Sequence, residues 1–141
     1  MSFNKTLSII GGAGHVGFPL ALAFANKNYN VNIIDLNQKN LNKIKKGITP
    51  FYELGAEKIL KKSLKSKKLF FSNTIDSIKL SKYVIICIGT PINSKLQPQT
   101  KKFFNFFYKL FQHINKNHTI IIRSSVFPGI IGKIAKKFKS Q

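Results

Sequence analysis

Two kinds of hydrophobic pattern alternate along the chain. Short apolar runs have the length of strands buried on both faces, and they predict strands at 6–10, 31–34, 69–71, 83–88 and 119–122. Between these runs apolar residues return every three or four positions, which is the period of an amphipathic helix. The first predicted helix begins at His15, and the second contains Leu41 and Ile44 and ends at Gly47. Four further helices are predicted at 57–67, 75–80, 102–113 and 132–138.

This alternation of strands and helices is typical of a parallel sheet, because parallel strands need helical crossovers that cover both faces. Right-handed crossovers then favour the doubly wound strand order. The sequence therefore predicts a single α/β domain over residues 1–141, with a Rossmann-type doubly wound parallel sheet and three α/β/α layers. With 43% hydrophobic residues, the chain lies outside the disordered class of proteins.

A glycine-rich turn joins the first predicted strand to the first helix, in the string SIIGGAGHVGF. Gly12, Gly14 and Gly17 have the G-x-G-x-x-G spacing, whereas Gly11 cannot start the pattern because Ala13 follows it two positions later. Such a turn presents free backbone amides and the positive helix end to an anion. In a βαβ unit this spacing predicts a dinucleotide pyrophosphate site: Gly12 for the tight turn, Gly14 for close approach of the ligand, Gly17 for helix packing.

A carboxylate stands at the end of the second predicted strand. Asp35 follows Gly17 by 18 residues, where an acid can accept hydrogen bonds from the adenosine ribose hydroxyls. This position favours NAD, because a 2′-phosphate would meet a like charge unless Lys39 compensates for it. The alternative is that Asp35 only provides a negative charge at the start of the helix beginning near Asn37.

Two further turns follow predicted strands at the same edge of the sheet. GTP, at 89–91, comes after the fourth strand, and RSSVFPG, at 123–129, comes after the fifth. Open α/β sheets bind ligands at this edge. Thr90 offers a hydroxyl there, Pro91 directs the exit of the chain, and Arg123 adds a cation beside two serine hydroxyls. Each turn also has an ordinary structural explanation, since Ser and Pro are common in loops.

The charge introduces a second class of function. The formal net charge of +20, from 24 basic and four acidic residues, would attract any polyanion. However, Arg123 is the only arginine, and the lysines are spread along the whole chain. This distribution favours solvated lysines on helix faces over a nucleic-acid surface. A basic Rossmann-like module that binds nucleic acid, or acts as an interaction domain, therefore stays the alternative.

The number and spacing of the cysteine and histidine residues, and the lengths of the apolar runs, argue against a disulfide-linked, metal-binding or membrane protein. A single cysteine, Cys87, rules out an internal disulfide, and no Cys and His residues have metal-ligand spacing, so no metal is expected. His113 and His118 flank the fifth strand, and we expect surface roles for both. No apolar run approaches the ~18 residues of a membrane span, and the first residues lack a secretory signal. We therefore expect a cytoplasmic protein with no membrane partner.

The ordered motifs together are similar to one known family. GGAGHVGFPLALAFA, the strand that ends at Asp35, GITPFYELG, VIICIGTP and IIRSSVFPG resemble the amino-terminal NAD-binding domain of the UDP-glucose/GDP-mannose dehydrogenase family. The resemblance covers nearly the whole chain. The RSSVFPG version is most similar to the UDP-N-acetylmannosamine dehydrogenase type. Another Rossmann enzyme, such as a short hydroxyacid dehydrogenase, would share the glycines but would not explain GTP and RSSVFPG together.

The resemblance implies an NAD-dependent oxidoreductase of polysaccharide biosynthesis, which oxidises the C6 hydroxymethyl of a UDP-sugar to a carboxylate with two NAD molecules. It implies that Asp35 contacts the adenosine ribose and that Thr90 lies near the nicotinamide half. Ser125 matches a threonine that helps to position the catalytic water. The implied cofactor-binding residues are Gly12, Gly14, His15, Val16, Gly17, Asp35, Gly89, Thr90 and Ser125.

The chain also departs from the family pattern. Asn40 stands where members often carry a basic residue, with Lys39 beside it, and Glu53 and Gly55 match a loop to which we assign no chemical role. Members continue into a central helix and a second domain with a nucleophilic cysteine, a lysine and further acids. Cys87, inside an apolar strand, is expected to be a core residue instead.

We therefore expect the chain to be incomplete and inactive alone, and to bind NAD weakly. We expect nucleotide-sugar binding only when the second domain is supplied. The sequence does not determine the oligomeric state. The resemblance implies a dimer built by the central helix, which this sequence does not include, and we therefore expect an exposed apolar face on the final helices.

Overall fold

The computed structural model describes residues 5–90 and 99–139, with side chains described up to residue 137. Pro91, the last residue of the GTP turn, lies outside the described residues. The strands are β1 Thr6–Ile10, β2 Asn30–Ile34, β3 Leu69–Ser72, β4 Tyr83–Ile86 and β5 Thr119–Ile122. The helices are α1 Gly17–Asn26, α2 Gln38–Lys45, α3 Ala56–Lys65, α4 Thr100–Phe111 and α5 Ile130–Lys139, with a short 3-10 helix at Ile75–Leu80.

The five strands form one parallel sheet in the order β3-β2-β1-β4-β5. The chain winds outward from β1 to β3 and then returns to the other side of β1, so the predicted doubly wound order is confirmed. Ile10 pairs with both Ile34 and Ile86, and Ile86 pairs with Ile122. The carboxyl ends of four strands are therefore level, and the loops that follow them open at one edge of the sheet.

Each face of the sheet has its own core, because side chains alternate between the faces along a strand. Leu7 and Ile9 point to the face covered by α1, α2 and α3, where Phe18 and Leu60 are fully buried. Ile10 belongs to the opposite core, which contains the 3-10 helix, α4 and α5. All five residues of β1 are buried, as expected for a strand with helices on both sides.

A polar cluster lies inside the second layer, although the sequence pattern treats β1 and β2 as apolar runs. The Ser8 and Ser81 hydroxyl oxygens are 2.8 Å apart. The Asn32 side-chain amide donates to the Ser8 hydroxyl at 3.2 Å and to the Ser77 hydroxyl at 3.0 Å. These bonds tie β1, β2 and the 3-10 helix together, and they satisfy buried polar groups that would otherwise destabilise the fold.

Several element ends differ from those predicted. The helix predicted from His15 begins at Gly17, because His15 and Val16 belong to the glycine turn. The helix predicted to reach residue 67 ends at Lys65, since Lys67 takes a left-handed φ of 52°. The predicted 83–88 strand ends at Ile86, whose carbonyl oxygen accepts the amides of both Arg123 and Ser124 as the chains diverge.

Apolar side chains remain partly uncovered near β5 and α5. Ile121 is 43% exposed and Ile131 is 44% exposed, while Ile130 and Ile134 of α5 are buried. Part of an apolar surface is therefore open there, as the sequence predicts for the final helices. The longest described helix, α4, has 12 residues, and within the described ranges no helix is long and apolar enough to cross a membrane.

Candidate functional site

The turn after β1 depends on a glycine outside the motif spacing. Gly11 has a φ of +78°, in the left-handed region, and a Cβ there would lie 2.8 Å from the Cys87 carbonyl oxygen. The amides of Gly11 and Gly12 both donate to the Ile34 carbonyl oxygen, at 2.8 and 3.1 Å. The backbone reversal therefore occurs at Gly11, a role that the spacing rule does not reveal.

The three motif glycines have different surroundings. A Cβ on Gly12 would lie 2.7 Å from the Ile9 carbonyl oxygen, and one on Gly17 would overlap the Gly11 carbonyl oxygen. Both positions thus permit close packing of turn, strand and helix. A Cβ on Gly14 would approach only the Gly11 carbonyl oxygen, at 3.4 Å. Gly14 is therefore the motif glycine with space beside it, as close approach of a ligand requires.

Two backbone amides at the start of α1 are available to a ligand. The Gly14 amide donates to Gly11, and the Phe18 amide donates to the Gly14 carbonyl oxygen. Between them His15 and Val16 are exposed, and their amides have no hydrogen-bond partner among the described residues. These amides point from a helix N-terminus, where the helix dipole also favours an anion.

The Asp35 carboxylate joins this turn to the next helix. Its Oδ2 atom accepts the Ala13 amide at 2.9 Å, and its Oδ1 atom accepts the Asn37 amide at 2.9 Å. The side-chain acceptor at the N-terminus of α2 is Asn37, which receives the Asn40 amide at 3.0 Å. Asp35 thus precedes the helix cap, and a carboxylate offers about four acceptor sites, of which these amides use two.

Asn40 contacts the same turn. Its side-chain amide donates to the Ala13 carbonyl oxygen at 3.2 Å, so Ala13 is held through its amide by Asp35 and through its carbonyl by α2. At the position where the resemblance described above implies a cation, this chain therefore has a neutral donor bonded to the turn. Lys39 is exposed beside it.

An aromatic stack supports the other side of the turn. The His15 ring lies on the Phe51 ring with centroids 4.0 Å apart, and Phe51 meets the edge of Phe18 at 5.7 Å. The irregular 49–55 segment thus packs against the glycine turn through Phe51. His15 keeps an exposed ring at the turn, and its contact with a cofactor stays a prediction.

A cleft runs along the carboxyl ends of the central strands. One cavity, of about 320 Å³, is lined by Gly14, Asp35 and Leu36, and the Leu36 side chain is 91% exposed. A second cavity, of about 490 Å³, is lined by Val16 and by residues that follow β4 and β5, among them Thr90, Arg123 and Ser125. Cys87, Ile88 and Gly89 line both cavities, which therefore meet outside β4, next to the point where the strand order reverses.

Two hydrogen bonds join the segments that follow β4 and β5 at the second cavity. The Thr90 hydroxyl donates to the Ser125 carbonyl oxygen. The Ser124 hydroxyl donates to the Ile88 carbonyl oxygen at 2.6 Å. Because the Thr90 proton is used in this way, the hydroxyl oxygen keeps only its acceptor capacity. Ser125 lines the cavity with an exposed side chain.

Cys87 lies where the two cavities meet. It is half-buried and packs partly against the core beneath α1. Burial raises the pKa of the Cys87 thiol above its ordinary value, and the positive charge of Arg123 offsets part of that rise. The thiol is therefore protonated at neutral pH, a state that disfavours nucleophilic attack.

The other histidines do not join the cleft. His113 follows α4, and its Nδ1 atom lies 3.0 Å from the Asp76 carboxylate; its side chain is only 25% exposed, so it is more buried than expected. The His118 Nδ1 atom hydrogen-bonds within the turn before β5, at the opposite end of that strand. Over residues 5–90 and 99–139, no three His, Cys, Asp or Glu side chains form a group that could hold a metal ion.

Comparison with known proteins places this cleft in context. The model of the UDP-glucose/GDP-mannose dehydrogenase family, NAD binding domain, matches residues 5–141. A UDP-glucose 6-dehydrogenase of Rickettsia conorii is 30% identical over 131 residues, which are 92% of this chain and 30% of that protein. A putative UDP-glucose 6-dehydrogenase of Bacillus subtilis, YtcA, is 33% identical over 127 residues, 89% of this chain and 29% of the relative.

Solved structures agree with this match. The UDP-D-ManNAc dehydrogenase of Pyrococcus horikoshii superposes with a TM-score of 0.84 at 25% identity, over 96% of this chain and 32% of that one. A GDP-mannose dehydrogenase of Pseudomonas aeruginosa, at 22% identity and a TM-score of 0.83 over 96% of this chain and 33% of that one, shares the fold. The chain spans about 30% of the length of the curated relatives.

Proposed function

The chain belongs to the UDP-glucose/GDP-mannose dehydrogenase family as its NAD-binding domain, and we propose that it forms the cofactor half of a nucleotide-sugar dehydrogenase. One observation carries the proposal. Val16, whose amide is available together with that of the neighbouring His15, and the Asp35 carboxylate line the two adjoining cavities at the carboxyl edge of the sheet. These groups suit the pyrophosphate and the ribose of a dinucleotide.

The residues present fit the pyrophosphate. The amides of His15 and Val16 would donate to its oxygens, and the space beside Gly14 would let the ligand approach the backbone. Gly12 and Gly17 would act by packing, because each permits a contact that a Cβ would block.

The adenosine half would occupy the cavity of about 320 Å³. Asp35 would accept the ribose hydroxyls with the acceptor sites that Ala13 and Asn37 leave free. The exposed Leu36 side chain offers an apolar surface to the adenine ring. A 2′-phosphate would face the Asp35 charge, so NAD is favoured over NADP.

The nicotinamide half would enter the cavity of about 490 Å³, beside Gly89 and Thr90. The Thr90 oxygen would accept a hydrogen bond from the carboxamide group, because its own proton is used on the Ser125 carbonyl oxygen. The Ser125 hydroxyl lines the same cavity, where it would help to position water near the substrate. When bound, NAD supplies the acceptor for the hydride removed from the sugar carbon.

The reaction proposed for the complete enzyme is oxidation of a UDP-sugar at C6. The CH₂OH group and one water molecule yield a carboxylate, with two hydrides passed to two NAD and three protons released. The aldehyde-to-acid step needs a nucleophile, and the protonated Cys87 thiol is not suited to that task. We propose that the nucleophile and the sugar-binding residues belong to the part of the relatives that this chain does not match.

Calorimetry with NAD at about 150 mM salt tests the proposal, because that ionic strength screens general attraction to a charge of +20. We expect saturable binding of NAD, weaker binding of NADP, and no NADH formation when UDP-glucose is added to the chain alone. Absence of NAD binding would refute the assignment of the cleft. Formation of NADH by this chain alone would refute the proposal that catalysis needs a second part.

A further inference from the structure

Arg123 is the one arginine among 24 basic residues, and it lies in the cleft. The other cations are lysines, spread over the chain and found mostly on its solvent-exposed faces. Arginine differs from lysine in its planar guanidinium group, whose fixed donors match two oxygens of a phosphate at once. In the cleft, the planar shape of the Arg123 guanidinium group is therefore available to a ligand as well as its positive charge.

The sheet register places Arg123 on the face of the sheet from which α1 begins. Ile122 pairs with Ile86 in the last pair of the ladder, and the Arg123 amide donates to the Ile86 carbonyl oxygen at 2.9 Å. Arg123 and Cys87 each follow this pair, and they line the same cavity. Cys87 packs against the core beneath α1. Val16, at the N-terminus of α1, lines the same cavity as Arg123.

No carboxylate in the described part of the chain neutralises Arg123. Of the four acidic residues, Glu57 pairs with Lys61, Asp76 pairs with His113, Asp35 accepts two backbone amides, and Glu53 forms no salt bridge with Arg123 within the described residues. The guanidinium has no hydrogen-bond or ion-pair partner within residues 5–90 and 99–139, and its charge reaches the cleft floor, since it lowers the pKa of Cys87 against the effect of burial. An uncompensated cation beside free amides is an arrangement for an anion.

We propose that Arg123 binds the oxygens of a diphosphate from the β5 side of the cleft, opposite the amides of His15 and Val16. This inference rests on the proposed function. Two ligands of the proposed reaction contain a diphosphate, NAD and the nucleotide sugar. Both would present the same chemistry to the guanidinium, and the experiment below separates them.

The test compares four ligands on four proteins at about 150 mM salt, by calorimetry. The ligands are NAD, ADP-ribose, AMP and UDP-glucose, and the proteins are the wild type, Arg123→Gln, Arg123→Lys and the control Lys65→Gln. Lys65 is exposed on α3, so the control removes one positive charge outside the cleft. Unliganded melting temperatures show that each variant is folded, which we expect because Arg123 is also exposed.

We expect Arg123→Gln to weaken NAD and ADP-ribose by roughly tenfold to a hundredfold, the effect of losing hydrogen bonds to a charged group. AMP lacks the second phosphate and should change by less than about threefold, Arg123→Lys should recover only part of the loss, and Lys65→Gln should leave all affinities unchanged. A loss confined to UDP-glucose would support diphosphate binding and assign it to the substrate, and it would contradict the expectation that the nucleotide sugar binds only when the second domain is supplied.

Three outcomes would overturn the inference. Equal effects of Arg123→Gln and Lys65→Gln would show that only net charge matters. If Arg123→Gln weakened the affinity for NAD but not for ADP-ribose, the contact would lie at the nicotinamide half. If it weakened the affinities for AMP and NAD equally, Arg123 would not bind the diphosphate. In each case wild-type NAD binding would leave the proposed function intact, whereas a wild type that binds neither NAD nor UDP-glucose would refute both.

Discussion

Gly14 and Gly17 belong to one motif, yet different forces select glycine at each position. At Gly17 a methyl group would overlap the Gly11 carbonyl oxygen, so the constraint belongs to the fold itself. At Gly14 the methyl group would meet ordinary van der Waals contact and would project into the space that a ligand needs. Substitution of Gly17 should therefore lower the stability of the fold, whereas substitution of Gly14 should lower the affinity for the cofactor.

Gly17→Ala should lower the free energy of unfolding by about 3 kcal/mol, because turn and helix must move apart to admit the methyl group. Gly14→Ala should change it by less than about 1 kcal/mol but weaken NAD binding at least about tenfold. Urea denaturation and NAD calorimetry on both variants measure the two effects. A stable Gly17→Ala protein, or unchanged NAD affinity in Gly14→Ala, would contradict this division.

Asp35→Asn should reverse part of the preference for NAD over NADP. The amide side chain keeps one acceptor oxygen for the turn, but it removes the charge that repels a 2′-phosphate. We expect NAD affinity to fall roughly tenfold and NADP affinity to stay equal or improve. Glu57→Gln, an equivalent change on α3, is the control, and an unchanged NADP-to-NAD ratio in Asp35→Asn would show that the carboxylate only holds the backbone.

Cys87 should react slowly with iodoacetamide at pH 7, because burial raises the pKa of its thiol and little thiolate is present. The rate should rise with pH through and beyond the ordinary thiol range near about 8.5. The raised pKa also means that stability is lost as the pH increases through that range. Saturating NAD should protect the thiol, which lines both cavities. A rate plateau near neutral pH would identify a reactive cysteine instead.

At the scale of the elements, hydrogen bonds between segments distant in sequence hold the site together. Asp35 and Asn40 connect β2 and α2 to Ala13 in the first turn, while Thr90 and Ser124 connect the segments after β4 and β5. The buried cluster around Asn32 performs a similar task inside the fold, because it sets β1 and β2 against the 3-10 helix.

Asn32→Leu should destabilise the protein by roughly 1–3 kcal/mol, since Ser8 and Ser77 lose a hydrogen-bond donor inside the core. Ser8→Ala removes one of the acceptors, so the double variant should be less destabilised than the sum of the two single variants. Urea denaturation of the four proteins gives the coupling energy. Strictly additive effects would show that the bond between Asn32 and Ser8 contributes nothing to stability.

At the scale of the whole molecule, the charge of +20 is largely a property of exposed lysines. On α3, for example, Lys58, Lys62 and Lys65 are exposed on the solvent side of the first helical layer. Such a surface attracts polyanions through many weak contacts, whereas the cleft offers a few fixed donors to one diphosphate. Salt should therefore affect the two kinds of binding differently.

Between about 50 and 200 mM salt, any affinity for a DNA duplex should fall roughly a thousandfold, as expected when several phosphates release their counterions. NAD affinity should fall by less than about tenfold, because one diphosphate is bound by local groups. Calorimetry with NAD and filter binding with duplex DNA measure both slopes. DNA binding that survives at 200 mM salt would favour the nucleic-acid alternative over the one that the family supports.

The order and type of the elements, the parallel sheet and the NAD-binding family followed from the sequence alone, because hydrophobic period and motif spacing depend on residues close together along the chain. Only the tertiary structure decided that Gly11 makes the reversal, that Asp35 holds the Ala13 amide 22 residues away, and that Arg123 and Cys87 line one cavity. These relations depend on strand register and on the level ends of the four strands. Local patterns do not specify such distances, because they arise only when strands far apart in sequence pack side by side.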